Sequence, residues 1–135
     1  MPRRTAAAQA YLEWLPIREQ SDAVEAKIYR SFRFGDLAQL NMLDPRLIGR
    51  DQQLPADAPG LEDDSRSLLG TAQERWLHTE LSAAKKDGVT WNILGQQVLL
   101  SSIRRADGSA MSLEKWDGYP AARERLFAHL EREAI

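Results

Sequence analysis

The densest apolar stretch of the chain, Val89 to Ser101 (VTWNILGQQVLLS), comes directly behind a segment that reads as a helix end, Lys85-Lys86-Asp87-Gly88. Lysines in a last turn complement the helix dipole, and a following glycine suits the residue past the C-cap. An apolar run entered from a helix predicts a central strand buried on both faces, as in α/β architectures. The helix ahead of it has a start signal as well. Thr71-Ala72-Gln73-Glu74 matches a capping box, and Trp76, Leu77, Leu81 and Ala84 supply its buried face.

Around this unit the remaining elements fall into place. Residues 5–15 read as an alanine-rich helix with Ala7, Ala8, Tyr11, Leu12 and Leu15 on one stripe, ended by Pro16. Glu19 to Ala26 is a polar connection. In Lys27–Gly35, Ile28, Arg30, Phe32 and Phe34 alternate with Tyr29, Ser31 and Arg33, so Arg30 shares a strand face with two phenylalanines. Gly35-Asp36 signals a turn, and a second apolar strand follows, making a hairpin. Asp51–Ser67 and Ser102–Gly118 read as long loops. Pro120 opens a last helix carrying Ala122, Leu126, Phe127 and Leu130. The order is α-β-β-α-β-α without an internal repeat. It predicts an α/β sandwich with a small sheet packed by helices, whose Val89–Ser101 strand needs a cover. Self-association through uncovered sheet or helix faces would supply one.

Composition sets the outer bounds. A chain of 135 residues is one domain's worth, and 43% hydrophobic with 28% charged residues is ordinary globular composition. A net charge of −2 gives no basic footprint for nucleic acid. With no cysteine there is neither a disulfide nor a thiolate metal site. No run is apolar enough to span a membrane. The segment behind Arg3-Arg4 is interrupted by Glu13, so no signal peptide is expected.

Metal-binding and nucleophile motifs are missing. His78 and His129 stand alone at no ligand spacing and read as surface residues. Phosphate-loop, dinucleotide and nucleophile-elbow patterns are absent. The polar residues at strand ends stand out instead. In Asn41–Leu54 (NMLDPRLIGRDQQL) an apolar stretch runs into Asp44, Pro45 and Arg46, then Arg50 and Asp51. Strand ends are where open α/β sheets place functional side chains. Pro45 stiffens the backbone so that Asp44 can accept from the Arg46 guanidinium. That pair either pins the loop or aims an arginine at a phosphate or carboxylate. Of Gln96 and Gln97, at least one must point inward, bonding a nearby loop or lining a polar pocket. Trp116-Asp117-Gly118-Tyr119 places a carboxylate among aromatic side chains, and packing alone is enough to anchor such a loop.

The blocks AYLEWLPIR, YRSFRFGDLAQLNMLDPRLIGRDQQL, LLGTAQERWL, WNILGQQVLL and WDGYPAARERL resemble, in order and spacing, the middle-to-late part of the alkaline phosphatase D (PhoD-like) phosphatases. The likeness covers nearly the whole chain, most weakly in 51–67 and 102–111. It implies a metallophosphatase fold with a two-layered β-sandwich core flanked by helices. It also implies hydrolysis of phosphate mono- and diesters with a bound metal cluster (calcium and iron or similar) in commonly exported proteins. By the same resemblance, Asp44 and Arg46 match a Leu-Asp-Thr-Arg motif from which Pro45 departs. Gln97 falls at a Gln/Asn position near the active centre, and Asp117 and Tyr119 match a Trp-Asp-Gly-Tyr turn. The family's Asn-His-Glu and Gly-Asp-x-His ligand motifs do not occur in this sequence. Two expectations follow. Residues 1–135 are a single domain, a fragment of such an enzyme that binds no metal and lacks a complete active site by itself. Alternatively, they are a non-catalytic scaffold remnant acting as a binding or self-associating module.

Overall fold

The hairpin predicted at Gly35-Asp36 forms, with Phe34 paired to Ala38 and Arg30 to Met42 across antiparallel strands. A computed structural model describes residues 2–16 and 27–135 of the chain. Its elements are α1 (Pro2–Trp14), β1 (Arg30–Phe34), β2 (Ala38–Met42), α2 (Gly70–Lys86), β3 (Trp91–Gly95), a 3-10 turn at Trp116–Gly118, and α3 (Pro120–Glu133). The sheet order is β1-β2-β3, with β3 parallel to β2. That parallel pair needs a crossover, which α2 provides. The protein is therefore a mixed α/β fold with a small three-stranded sheet packed by helices. The polar connection expected at 19–26 lies outside the described residues.

The Val89–Ser101 run is not a central strand. Only Trp91–Gly95 is extended, and it is an edge, with β2 in the middle. The chain leaves the sheet after Gly95 and drops Val98 into the core. A Cβ at Gly95 would lie 2.5 Å from Met42 Sδ, the tip of a flexible side chain that can give way.

The two sheet faces are inverted relative to a simple amphipathic sheet. The side toward α2 is largely polar: Ser31 Oγ donates to Glu80 at 2.7 Å, and Gln39 Nε2 donates to the same carboxylate at 3.2 Å. The other side carries Arg30, Phe32, Phe34, Trp91 and Ile93, as the alternation around Arg30 predicts. Phe34 is 58% and Trp91 63% exposed there.

The core lies instead between the helices and the loops. Leu43, Leu68, Leu69, Leu77, Leu81, Val98, Trp116, Tyr119, Ala122 and Leu126 pack together, with Trp76 and Leu130 partly buried against them. Leu68 and Leu69, at the end of a loop, are among its best-buried members. Phe127 is exposed, against expectation, because α3 turns Leu126 and His129 inward instead. The α1 stripe is not a buried face: Tyr11 and Leu12 are half-buried, whereas Ala7 and Leu15 are exposed.

The capping box does not form either. α2 begins at Gly70, ahead of Thr71, and the Gly70 amide donates to Ser67 Oγ at 2.8 Å. Glu74 turns away to Arg125, whose Nε and Nη2 donate to its two oxygens at 2.5 and 2.9 Å. A charge-assisted two-point bond outcompetes a cap at a backbone amide.

The start of α2 touches the loop after β2 through two glycines. A Cβ on Gly49 would lie 2.7 Å from Gly70 Cα, and one on Gly70 would lie 2.6 Å from Gly49 Cα. Both have positive φ. Gly49→Ala is expected to lower the unfolding free energy in urea by about 2–3 kcal/mol. Gly60→Ala, where a Cβ meets open space, should cost less. Equal losses would contradict the close contact.

Candidate functional site

β2 delivers Asp44 into the core beside α2, where a glutamine holds its peptide. Gln73 Oε1 accepts from the Asp44 amide at 2.7 Å, and Gln73 Nε2 donates to the Asp44 carbonyl at 2.9 Å. The same Nε2 also donates to the Leu69 carbonyl at 3.2 Å. Gln73 and Asp44 are each 1% exposed, so these bonds are shielded from water. Sequence reasoning absorbed Gln73 into the capping box and missed this role.

The Asp44 carboxylate then organises the turn that follows. It accepts from the amides of Arg46, Leu47 and Ile48 at 3.0, 2.9 and 3.1 Å. Three amide donors meet the needs of a buried carboxylate, as in an Asx turn. The expected Asp44–Arg46 ion pair is therefore absent. The backbone donors are closer in the chain and cost no side-chain entropy. Pro45 is buried under the turn, while Arg46 is exposed. Its guanidinium makes no hydrogen bond or ion pair with the described residues.

Two further candidates, Arg50 and Tyr119, meet directly. Tyr119 is fully buried, and its hydroxyl donates to the Asp51 carbonyl at 2.7 Å while accepting from Arg50 Nε at 2.9 Å. The Arg50 and Arg66 guanidiniums lie over its ring at 5.4 and 5.0 Å from the centroid. Arg50 also donates to the Glu114 carbonyl, and Arg66 to those of Gln52 and Gly118. Asp51 and Ser67 exchange two bonds, at 3.0 and 2.7 Å. Tyr119 thus ties the loop after β2, the start of α2 and the loop before α3 into one body. Nothing in the local spacing marked Arg66 for this part.

The remaining candidates stand apart. Asp117 pairs with Arg123 at 2.7 Å, one turn into α3, and its side chain is only 5% exposed. Burial pushes its carboxyl up. The Arg123 bond and charge, with the Ser102 hydroxyl and Ile103 amide, outweigh that and hold it below its ordinary value. Gln97 is exposed. Its neighbour Gln96 is the inward-facing amide, accepting from Trp116 Nε1 at 2.8 Å.

Among the described residues no three His, Asp or Glu side chains gather where an ion could sit. The two histidine rings stack on each other between α2 and α3, and the Asp44 carboxylate is filled by amides. The described residues do not fit a multi-metal centre, which needs several carboxylates and imidazoles converging on open positions.

Gln73→Leu keeps volume but strands the Asp44 amide and carbonyl. It should cost about 3 kcal/mol in urea unfolding, and an unchanged midpoint would contradict the clamp. Asp117 should stabilise the protein fully above its ordinary value of 3.8, with that contribution lost as pH falls through its lower native value. Asp117→Asn should therefore lower stability at pH 7 and flatten the acid limb below that value. An unchanged acid limb would count against the Arg123 pair.

Comparison with known proteins places this geometry. The PhoD-like phosphatase family profile matches residues 1–135. Alkaline phosphatase D of Bacillus subtilis (strain 168) is 38% identical over 142 residues, covering 98% of this chain but 24% of that protein. A solved structure described as "Structure of PhoD" superposes with a TM-score of 0.83 at 33% identity, covering 98% of this chain and 26% of that one. The chain thus spans about a quarter of the length of the relatives it matches. On the profile, the sequence identity and the superposition together, it belongs to the PhoD-like phosphatase family.

Proposed function

We propose that these residues are one part of a metal-dependent phosphate mono- and diester hydrolase. In this reading they form a fragment of its catalytic domain, contributing scaffold and one arginine-bearing loop. The observation that carries it is Arg46, exposed on a turn whose amides are fixed by a buried carboxylate. A planar guanidinium held this way can donate two parallel bonds to phosphoryl oxygens. Arg50, Asp117 and Tyr119 would act behind it, holding the loops in register. A metal cluster would supply the activated water and neutralise phosphate charge. Its ligands would come from chain other than these residues, so the chain alone is expected to turn over nothing.

A second reading rests on the apolar sheet face with Phe34 and Trp91 exposed. That face suits a covering layer, which makes a self-associating module the alternative.

The test is hydrolysis of an aryl phosphate and a bis-aryl phosphate by the purified chain, with and without Ca²⁺, Fe³⁺, Mn²⁺ and Zn²⁺. No turnover above buffer is expected. Metal-dependent turnover that is lost in Arg46→Ala would overturn the incomplete-site reading. In a complete PhoD-like phosphatase, replacing the arginine of the Leu-Asp-Thr-Arg motif that Arg46 resembles by alanine should cost about a hundredfold in kcat/KM. An unchanged value would remove the arginine from the proposal. Sedimentation of the chain as a dimer would favour the self-associating module.

A further inference from the structure

Two histidines that the sequence leaves unpaired meet where α2 packs on α3. His78 and His129 stack with ring centroids 4.1 Å apart and planes 6° from parallel. His129 is 5% exposed, and His78 Nε2 is buried with no hydrogen-bond partner. Arg132 Nη2 lies 2.8 Å from His129 Nδ1, and Ser82 Oγ lies 3.3 Å from His129 Nε2. A guanidinium only donates, so His129 Nδ1 accepts and its proton sits on Nε2, facing the Ser82 hydroxyl.

Both rings are thus built into the seam as neutral groups. A proton added at His129 Nδ1 would set one N–H against another on Arg132. A charged His78 would carry N–H on both nitrogens, one of them buried without an acceptor. The facing charges do not relieve this. From α2, Glu74 is held by Arg125 and Ser67, and Lys85 donates to the Ala134 carbonyl beyond α3. From α3 come two cations, Arg125 and Arg132, with Glu133 bonded to Arg132. Burial first, then His129, with Arg132 and Arg125, hold His78 below its ordinary value against the pull of Glu74.

We propose that the His78–His129 stack is an acid-sensitive latch on the α2–α3 seam, closed while both rings are neutral and forced apart when they are protonated. Because α3 starts directly after Tyr119, opening the latch slackens the loops that Tyr119 ties together. This inference stands on the seam itself and does not depend on the hydrolase reading. In the unfolded chain His78 takes up its proton near 6.5, and in the native seam only at lower pH. The latch therefore contributes fully above that value and is lost as pH falls below it, through the native value.

The test compares the wild type with the double variant His78→Phe, His129→Asn by urea unfolding between about pH 7.5 and 5.5, above most carboxylate titration. Phe keeps an uncharged ring on α2, and Asn keeps an acceptor for Arg132. The wild-type folding constant should fall by up to about tenfold per pH unit for each proton taken up on unfolding. The double variant should lose that slope, and equal slopes would overturn the latch. If the variant does not fold, NMR titration of the wild-type imidazole C2 protons decides. Titration of His78 below 6.5 with loss of α2–α3 contacts supports the latch. Titration of His78 at or above that value, with the contacts intact, refutes it.

Discussion

One glutamine side chain fixes the most distinctive stretch of this molecule. Gln73 presents a carbonyl and an amide to the backbone of Asp44, as a neighbouring strand would, at the point where β2 runs out of sheet partners. With its peptide anchored, the Asp44 carboxylate can turn back and collect three successive amides. The order of these bonds matters. A buried carboxylate is tolerable only when its hydrogen bonds are complete, and they are complete only if the chain turns here. The turn then carries Gly49 onto Gly70 and Arg50 onto Tyr119, so the contacts of three loops follow from a single clamp.

The same economy explains why the fold is lopsided. Its hydrophobic core lies between α2, α3 and the loops, while the sheet gives its polar side to α2 and keeps its phenylalanines and Trp91 outward. Such a sheet has one finished face and one that calls for another layer. The relatives it matches are about four times longer than the stretch they share with this chain. The sheet face with Phe34 and Trp91 exposed and the Arg46 guanidinium, which has no partner among the described residues, both point outward from the stitched core.

Much of this was readable from the residues. The hairpin at Gly35-Asp36, the C-terminus of α2 at Lys85-Lys86-Asp87-Gly88 and the start of α3 at Pro120 are local signals, and local signals survive tertiary context. The failures have physical reasons. Val89–Ser101 looked central because apolar density reports burial without saying which strands pair, and here half of the run leaves the sheet for the core. The Asp44–Arg46 pair was inferred from opposite charge, which overlooked amides that reach the carboxylate with no side-chain ordering cost. Gln73 was misplaced because a capping box and a buried backbone clamp use the same residue types. His78 and His129 lie on different helices, and only the packing of α2 on α3 reveals that they stack.

Gln73 and Asp44 hold the turn that carries the exposed Arg46. Amide hydrogen exchange at Arg46, Leu47 and Ile48 tests it most directly, since these amides sit in a loop with no strand or helix to protect them. Slow exchange is expected at all three, collapsing to near-free rates when Asp44 is replaced by alanine while the α2 amides stay protected. Fast exchange at those amides in the wild type would mean that the clamp does not hold the turn and that Arg46 has no fixed base.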